Sequence, residues 1–242
     1  MTLHTETPID EKERRGMGRK IRHALAVVVA YFRRPGRFSL CHYSRESAFE
    51  RLKNAKGLHV LDLGSSTFKV ADHVIAVDLS CKKGVDVVAD VCRLPFGNNT
   101  CDGIWMGGLL EHVPDPSGLI LECHRVLKRV GWVYCETPFL YGEHNAPGDY
   151  HRWTRQGLKR LFQDWEIEWV TDVTGVFSAL ACQLRVCLSL LTSFGSDLLY
   201  RIMHEAVWSY VVWPIKHLDA CFRWHPQAKA HAAGYGIMAR KT

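Results

Sequence analysis

A three-layer α/β sandwich around a mostly parallel seven-stranded sheet is the fold this 242-residue sequence predicts. Three observations carry that expectation. Short, β-branched apolar runs alternate with helical segments, the pattern of a parallel sheet covered on both faces. The first run ends in an acid and then a glycine, Asp62-Leu63-Gly64. A long apolar helical stretch then separates the last two runs, so the sheet is expected to close on its final strand, antiparallel to the rest, after a helical insert at about 175–224.

Residues 1–43 are read as a basic arm and helix that precede the main domain, 44–242. The formal net charge is +6, and much of the basic excess lies here, in Lys12, Arg14, Arg15, Arg19, Lys20, Arg22, Arg33, Arg34 and Arg37. A local basic arm is not a basic protein, so no nucleic-acid partner is expected. Ile21, Ala24, Leu25, Val28, Val29 and Phe32 recur at helical spacing until Pro35-Gly36 ends the pattern. An apolar stripe flanked by basic side chains favours weak association with a membrane surface. Arg33, Arg34 and Pro35 stand where a secretory leader would need small residues for cleavage, so secretion is not expected.

In the main domain the spacing predicts a helix from about Ser44 to Asn54, then strands at Val60 to Leu63, Val74 to Asp78, Val85 to Ala89, Gly103 to Met106 and Trp132 to Thr137. Between the last two, Pro116 to Leu127 puts Leu119, Ile120, Cys123, Val126 and Leu127 on one helical face. A helix over Thr154 to Phe162, a strand near Ile167 to Val173 and a last strand over Ala233 to Arg240 follow. The apolar stretch from Val176 to Phe222 is broken by Arg185, Asp197, Arg201, His204 and Glu205, too often for a clean membrane span, and is expected to pack on the sheet and roof the substrate pocket. Nine cysteines without a CxxC pair suit reduced thiols in a cytoplasmic protein that is at most peripheral at the membrane.

Gly64, directly after a buried strand, lets the backbone turn tightly and approach a ligand at the carboxyl end of the sheet. Asp78 ends the second run, placed to accept both hydroxyls of a ribose, and Asp90 ends the third, placed near an adenine amino group. Each acid alone reads equally well as a solvated strand end. Together with Cys101-Asp102-Gly103-Ile104 and Leu110-Glu111-His112-Val113, however, the chain resembles the class I S-adenosylmethionine-dependent methyltransferases of the type 11 group, a Rossmann-like family. The resemblance covers about Leu58 to Val173 and returns at the last strand. It implies S-adenosyl-L-methionine as cofactor, held by Asp62, Gly64, Ser65, Ser66, Asp78, Asp90 and Val91.

A narrower resemblance lies in Pro138-Phe139-Leu140-Tyr141, His144, Pro147, Asp149-Tyr150 and Arg152-Trp153-Thr154, which is similar to a loop that covers the active site in a bacterial subgroup. Asn145, Gly148 and His151 depart from that subgroup's pattern. The glycine-rich run is also reduced to Gly64-Ser65-Ser66, and the short interval to Asp78 leaves room for a loop or one helical turn in place of a full helix. The methionine carboxylate would then lean on backbone donors near Ser65 to Thr67.

Methyl transfer asks the protein to place a nucleophile in line with the sulfonium methyl and to supply a base when that nucleophile is an alcohol. His112 and His144 are the catalytic candidates, against the alternative that His112 only orients its loop. Tyr150 and Arg152 are candidates for substrate oxygens, although an Arg after Asp-Tyr equally makes a loop-fixing salt bridge. His144, Asp149 and His151 lack the spacing of a zinc motif, and no metal is expected. The expected reaction is methyl transfer to a small-molecule or lipid-linked acceptor, more readily at oxygen than at carbon or nitrogen. Its rival is a catalytically silent domain of the same fold serving as a binding or scaffold partner, which the eroded glycine run supports. A nicotinamide dehydrogenase is disfavoured, because no GxGxxG follows Leu63.

Overall fold

The structure is a computed structural model that describes residues 45–144, 148–222 and 224–242. The basic arm and its helix, together with Asn145 and Pro147, lie outside the described residues.

Seven strands form one sheet: β1 (Val60–Leu63), β2 (Ile75–Asp78), β3 (Val87–Val88), β4 (Cys101–Gly107), β5 (Leu127–Pro138), β6 (Glu166–Thr174) and β7 (Gly234–Arg240). Their spatial order is β3-β2-β1-β4-β5-β7-β6, and only β7 runs against its neighbours. The order reverses between β1 and β4, which opens a crevice at the carboxyl ends of the central strands, where α/β sheets bind ligands. The anticipated seven-stranded sheet with an antiparallel last strand is the one observed.

Side-chain alternation builds the layers. From one face of the sheet Leu61, Leu63, Val77, Ile104, Met106, Val133 and Ile237 pack against Leu119, Ile120 and Cys123 of α2 (Pro116–Val126) and Leu158 of α3 (Arg155–Leu161). From the other face Val60, Trp105, Trp132, Tyr134 and Met238 pack against Ala48 and Leu52 of α1 (Glu46–Asn54). Two local signals start the helices on the first face. Asp115 caps α2 by accepting from the Gly118 N–H, with Pro116 in the first turn, and Thr154 caps α3 by accepting from the Gly157 N–H.

Two strands differ from expectation. β3 is only two residues long, because Asp86 spends its side chain on the Ala76 N–H and its N–H on the Ala76 carbonyl at the sheet edge. β5 begins five residues early, directly after α2. Leu127 already pairs with Cys101 before the register shifts, and Val130 within the early segment lies at φ +62.

Between β6 and β7 the chain is helical. α4 (Val176–Ser193) is followed by α5 (Asp197–Ile202), a π-helical turn (Met203–Trp208), α6 (Ser209–Val212), a 3-10 turn (Trp213–His217), α7 (Leu218–Phe222) and α8 (Pro226–Ala230). Asp219 ties the end of this segment to its start, accepting from the N–H groups of Phe177 and Ser178 and from the Ser178 hydroxyl. α4 alone has a mean hydropathy of 1.5 over 18 residues, so it is long and apolar enough to cross a membrane by length and composition, yet a third of it is buried inside the fold. Ser178, Ala179, Ala181, Cys182, Ser189 and Ser193 form that buried part.

Candidate active site

The cofactor end of the site is a tight turn. Gly64 follows β1 at φ +73, and a Cβ there would stand 2.9 Å from Leu109 Cδ1, so the position demands glycine on two counts. The N–H groups of Gly64 and Ser65 donate to the Val77 carbonyl, which binds the turn to the end of β2. Ser66 then takes the left-handed conformation at φ +53, and residues 65–74 form turns without a helix, as the short interval to Asp78 implies.

Asp78 organises this loop. Its Oδ2 accepts from the Ser66 N–H at 3.0 Å and its Oδ1 from the Ser80 N–H at 2.9 Å, while Lys82 Nζ stands 3.8 Å away. The side chain is buried, which corrects the view of it as an exposed acid with few structural contacts. Each carboxylate oxygen keeps a second lone pair for another donor. Asp62 is also buried and accepts from the Val70 N–H, and loss of hydration pushes its carboxyl up to about 6.

Residues in this region fit the adenosine and methionine parts of S-adenosylmethionine. The Ser65 hydroxyl is buried beside Gly64 without a hydrogen-bond partner, an orphan that a polar ligand group would satisfy. The buried Asp62 carboxylate suits an ammonium group. Asp90 lies at the surface after β3, with Oδ1 accepting from the Cys92 N–H, and Val91 is buried next to it.

A cavity of about 210 Å³ lies one residue from that turn, because Leu109 touches the Gly64 position while Gly108 lines the cavity. Glu111, Glu136, Thr137, Tyr141, His144 and Thr174 supply its polar wall. Glu111, on the 3-10 turn Leu110–His112, is 2% exposed, and its carbonyl accepts from the N–H groups of Tyr150 and His151, which docks the loop after β5 over the cavity. Burial pushes its carboxyl upward, against the opposing influence of His112 and His144.

His112 and His144, far apart in sequence, meet here with ring centroids 4.9 Å apart. Each presents Nε2 to the same Glu111 oxygen, at 3.8 Å and 4.0 Å respectively. His112 Nδ1 donates to the Gly148 carbonyl, and His144 Nδ1 lies 3.2 Å from the Gly142 carbonyl and 3.3 Å from Asp149 Oδ2.

Of the two anticipated substrate contacts, Arg152 takes the loop-fixing role. Its guanidinium grips both oxygens of Asp149 and reaches the carbonyls of Tyr141, Gly142 and His151, which holds the Asp149 carboxyl well below its ordinary range. Tyr150 is exposed and is not among the cavity-lining residues, whereas Tyr141 is. The set His144, Asp149 and His151 does not assemble, since Asp149 is engaged by Arg152 and the His151 ring lies against Trp153. Glu111, Thr137 and Tyr141 are the polar groups that sequence reasoning missed. An acid between the apolar Leu110 and Val113 was the available signal for Glu111.

The crevice, the acid-glycine turn and the acid ending β2 define an α/β domain built for an adenosine-bearing ligand. Residues 56–135 match the methyltransferase domain family. The chain is 42% identical over 60 residues to an uncharacterized chloroplastic methyltransferase of Arabidopsis thaliana, covering 25% of this chain and 17% of that one. It is 41% identical over 54 residues to a ubiquinone/menaquinone biosynthesis C-methyltransferase of Desulfotalea psychrophila, covering 22% of each. The chain thus spans about a fifth of the length of these curated relatives. A crystal structure of an S-adenosylmethionine-dependent methyltransferase from Aquifex aeolicus superposes with a TM-score of 0.49 at 14% identity, covering 89% of this chain and 98% of that one. Residues 56–135, about a third of the chain, are thus similar to a methyltransferase domain.

Proposed function

We propose that this protein transfers the methyl group of S-adenosylmethionine to an oxygen atom of a small-molecule or lipid-linked acceptor. The observation that carries the reading is the cavity beside the Gly64 turn, whose wall combines Glu111, Thr137, Tyr141 and His144. In this reading Asp78 holds the ribose, Asp90 and Val91 the adenine, and Asp62, Ser65 and the turn through Ser66 the methionine part. Bound there, S-adenosylmethionine supplies an electrophilic methyl group. The acceptor hydroxyl lies against Thr137 and Tyr141, and its proton passes to Nε2 of His144 or His112, whose Nδ1 atoms are engaged by neighbouring carbonyls.

Lipid-linked acceptors and a peripheral place on the cytoplasmic face of a membrane are favoured by the tip where α4 turns into α5. Leu190, Leu191 and Leu198 are exposed there, and Phe194 is 90% exposed. Apolar side chains gathered at one end of a helical hairpin suit shallow insertion between lipid headgroups. A silent binding domain is the second reading, favoured by the two backbone N–H groups already held by Asp78.

The test is incubation with methyl-labelled S-adenosylmethionine and total cell extract, followed by separation into organic-soluble, small aqueous and macromolecular fractions. Base-stable label in a small or organic-soluble product is expected, with its atom of attachment read by NMR. Label confined to macromolecules refutes the acceptor class. Cofactor binding without any transfer supports the silent reading.

A further inference from the structure

Three potential ligand groups converge at the cavity, with Glu111 and His144 in its wall and His112 beside them. A carbonyl can only accept, so the contact of His112 Nδ1 with the Gly148 carbonyl puts a proton on Nδ1, and the neutral ring then offers the lone pair of Nε2. His144 Nδ1 faces the Gly142 carbonyl and Asp149 Oδ2, both acceptors, so its Nε2 also carries a lone pair. Both lone pairs approach Oε1 of Glu111, and the ligand atoms of the three residues all lie within 4.8 Å of one another. Glu111 is buried, and the only basic groups within ion-pair distance of its carboxylate among the described residues are these two imidazoles. A buried carboxylate facing two neutral imidazoles is an arrangement that a cation completes.

We propose that Glu111, His112 and His144 bind a divalent cation of the zinc class, which holds the oxygen of the methyl acceptor. Two imidazoles and one carboxylate form the ligand set of an open zinc site with a position left for water or substrate. Tetrahedral bonds of about 2.0–2.1 Å put ligand atoms roughly 3.4 Å apart, and the two Glu111 contacts, at 3.8 Å and 4.0 Å, come near that spacing, with all three ligand atoms within 4.8 Å of one another. The outer contacts are also those of a metal site. The carbonyl on His112 and the Asp149 carboxylate on His144 fix both tautomers, and Arg152 in turn fixes Asp149. Glu111 and His144 line the cavity, so the free side of the ion faces the acceptor. An acceptor offering a hydroxyl, or a hydroxyl beside a second oxygen donor, is the class this site would take.

Ion binding is independent of the methyl-transfer reading, and only the ion's role toward the acceptor rests on it: with the ion on both Nε2 atoms the imidazoles no longer take the acceptor's proton, and the ion would instead acidify the bound hydroxyl so that its proton leaves to water. The test uses untagged full-length protein, stripped with chelator and titrated with Zn²⁺ by calorimetry, with Co²⁺ absorption as a second probe. A single equivalent of Zn²⁺ per chain is expected, together with the visible bands of a Co²⁺ ion on nitrogen and oxygen ligands. Glu111→Gln and His144→Ala should lose that equivalent, whereas His59→Ala, exposed directly before β1 at the amino end of the sheet, should keep it. Asp149→Asn should weaken binding by about 10–100-fold. His144 sits on a partly exposed loop, so its variant stays folded even where the buried Glu111→Gln does not, and circular dichroism verifies this. No bound equivalent in the unmodified protein, or equal binding in the His144→Ala variant, overturns the site. S-adenosylhomocysteine titrated into the same samples keeps the two readings apart, since cofactor binding without the ion refutes the metal site alone.

Discussion

The Asp78 carboxylate holds the main chain of Ser66, with Oδ2 accepting its N–H at 3.0 Å. Ser66 lies at φ +53, where a residue with a Cβ is strained by roughly 1–2 kcal/mol. A charge-assisted bond from a buried acceptor offsets that strain. The loop that stands where a helix would otherwise follow β1 is therefore shaped by the same acid that we propose holds the ribose.

Asp78→Ala is accordingly expected to act twice. Removing a ribose acceptor should weaken S-adenosylhomocysteine at least roughly tenfold, or about 1.4 kcal/mol. Releasing Ser66 and Ser80 should also lower stability by about 2 kcal/mol, as charged hydrogen bonds are lost. Calorimetry and urea denaturation measure the two effects separately. Undiminished affinity in a destabilised but folded variant would leave Asp78 as a loop anchor only.

Asp62 gives stability a pH dependence. Its carboxyl titrates near 3.8 when unfolded and is pushed up to about 6 by burial in the fold. Between those values the folded chain keeps a proton the unfolded chain has released, so this group's contribution falls as pH rises and is fully lost above about 6. The difference amounts to roughly 3 kcal/mol, with the bond from Val70 already included. Asp62→Asn, which stands for the protonated carboxyl, should therefore match the unmodified protein near pH 4 and exceed it by roughly 3 kcal/mol near pH 7. Parallel denaturation curves at both pH values check this, and an equal offset at both would exclude the titration of Asp62 as its source.

Much of this was legible before any coordinates. The strands of the core read directly from apolar runs, as in β1, which is buried along its whole length and aliphatic at all positions but Asp62. The acid-glycine turn and Asp78 read from their position after those runs. The meeting of His112 with His144 did not, since a loop of irregular backbone brings them together and no periodicity records its path. Arg152 was ambiguous for a similar reason: whether a guanidinium binds substrate or its own loop depends on where the carbonyls of Tyr141 and Gly142 point. The early start of β5 was hidden because Leu127 continues the apolar helical face of Leu119, Ile120, Cys123 and Val126, although it pairs with Cys101.

Arg152→Lys tests that loop. A lysine keeps the charge but cannot reach both oxygens of Asp149 and two carbonyls together. Hydrogen exchange should rise in 148–152, and methyl transfer should drop at least roughly tenfold, as expected when substrate-positioning groups shift by about 1 Å. Cofactor affinity should not change, because the Gly64 turn belongs to β1 and β2. A parallel loss of cofactor affinity would show that Arg152 supports more than the loop.

The last expectation concerns how the helical segment is fastened to the sheet. Asp219 accepts three hydrogen bonds at the start of α4, from Phe177 N–H at 2.8 Å, Ser178 N–H at 2.9 Å and Ser178 Oγ at 2.6 Å. It thereby closes the chain from α4 to α7 into one loop and caps the longest helix of the fold. Asp219→Ala should cost about 2 kcal/mol, the upper end for a helix cap, since these groups are buried. Gly175 is packed against the same carboxylate, and a Cβ there would fall 2.2 Å from Asp219 Cγ. Gly175→Ala should therefore destabilise by expelling Asp219 from the cap, which is the lesion that Asp219→Ala makes directly. With the carboxylate gone, the added methyl group has room. The double variant should be no less stable than Asp219→Ala alone, a strongly sub-additive pair. Urea denaturation of the three variants measures this, with hydrogen exchange in 176–193 reporting where the loss falls. Additive losses would mean that Gly175 is required for some contact other than Asp219, and the account of this fastening would fail.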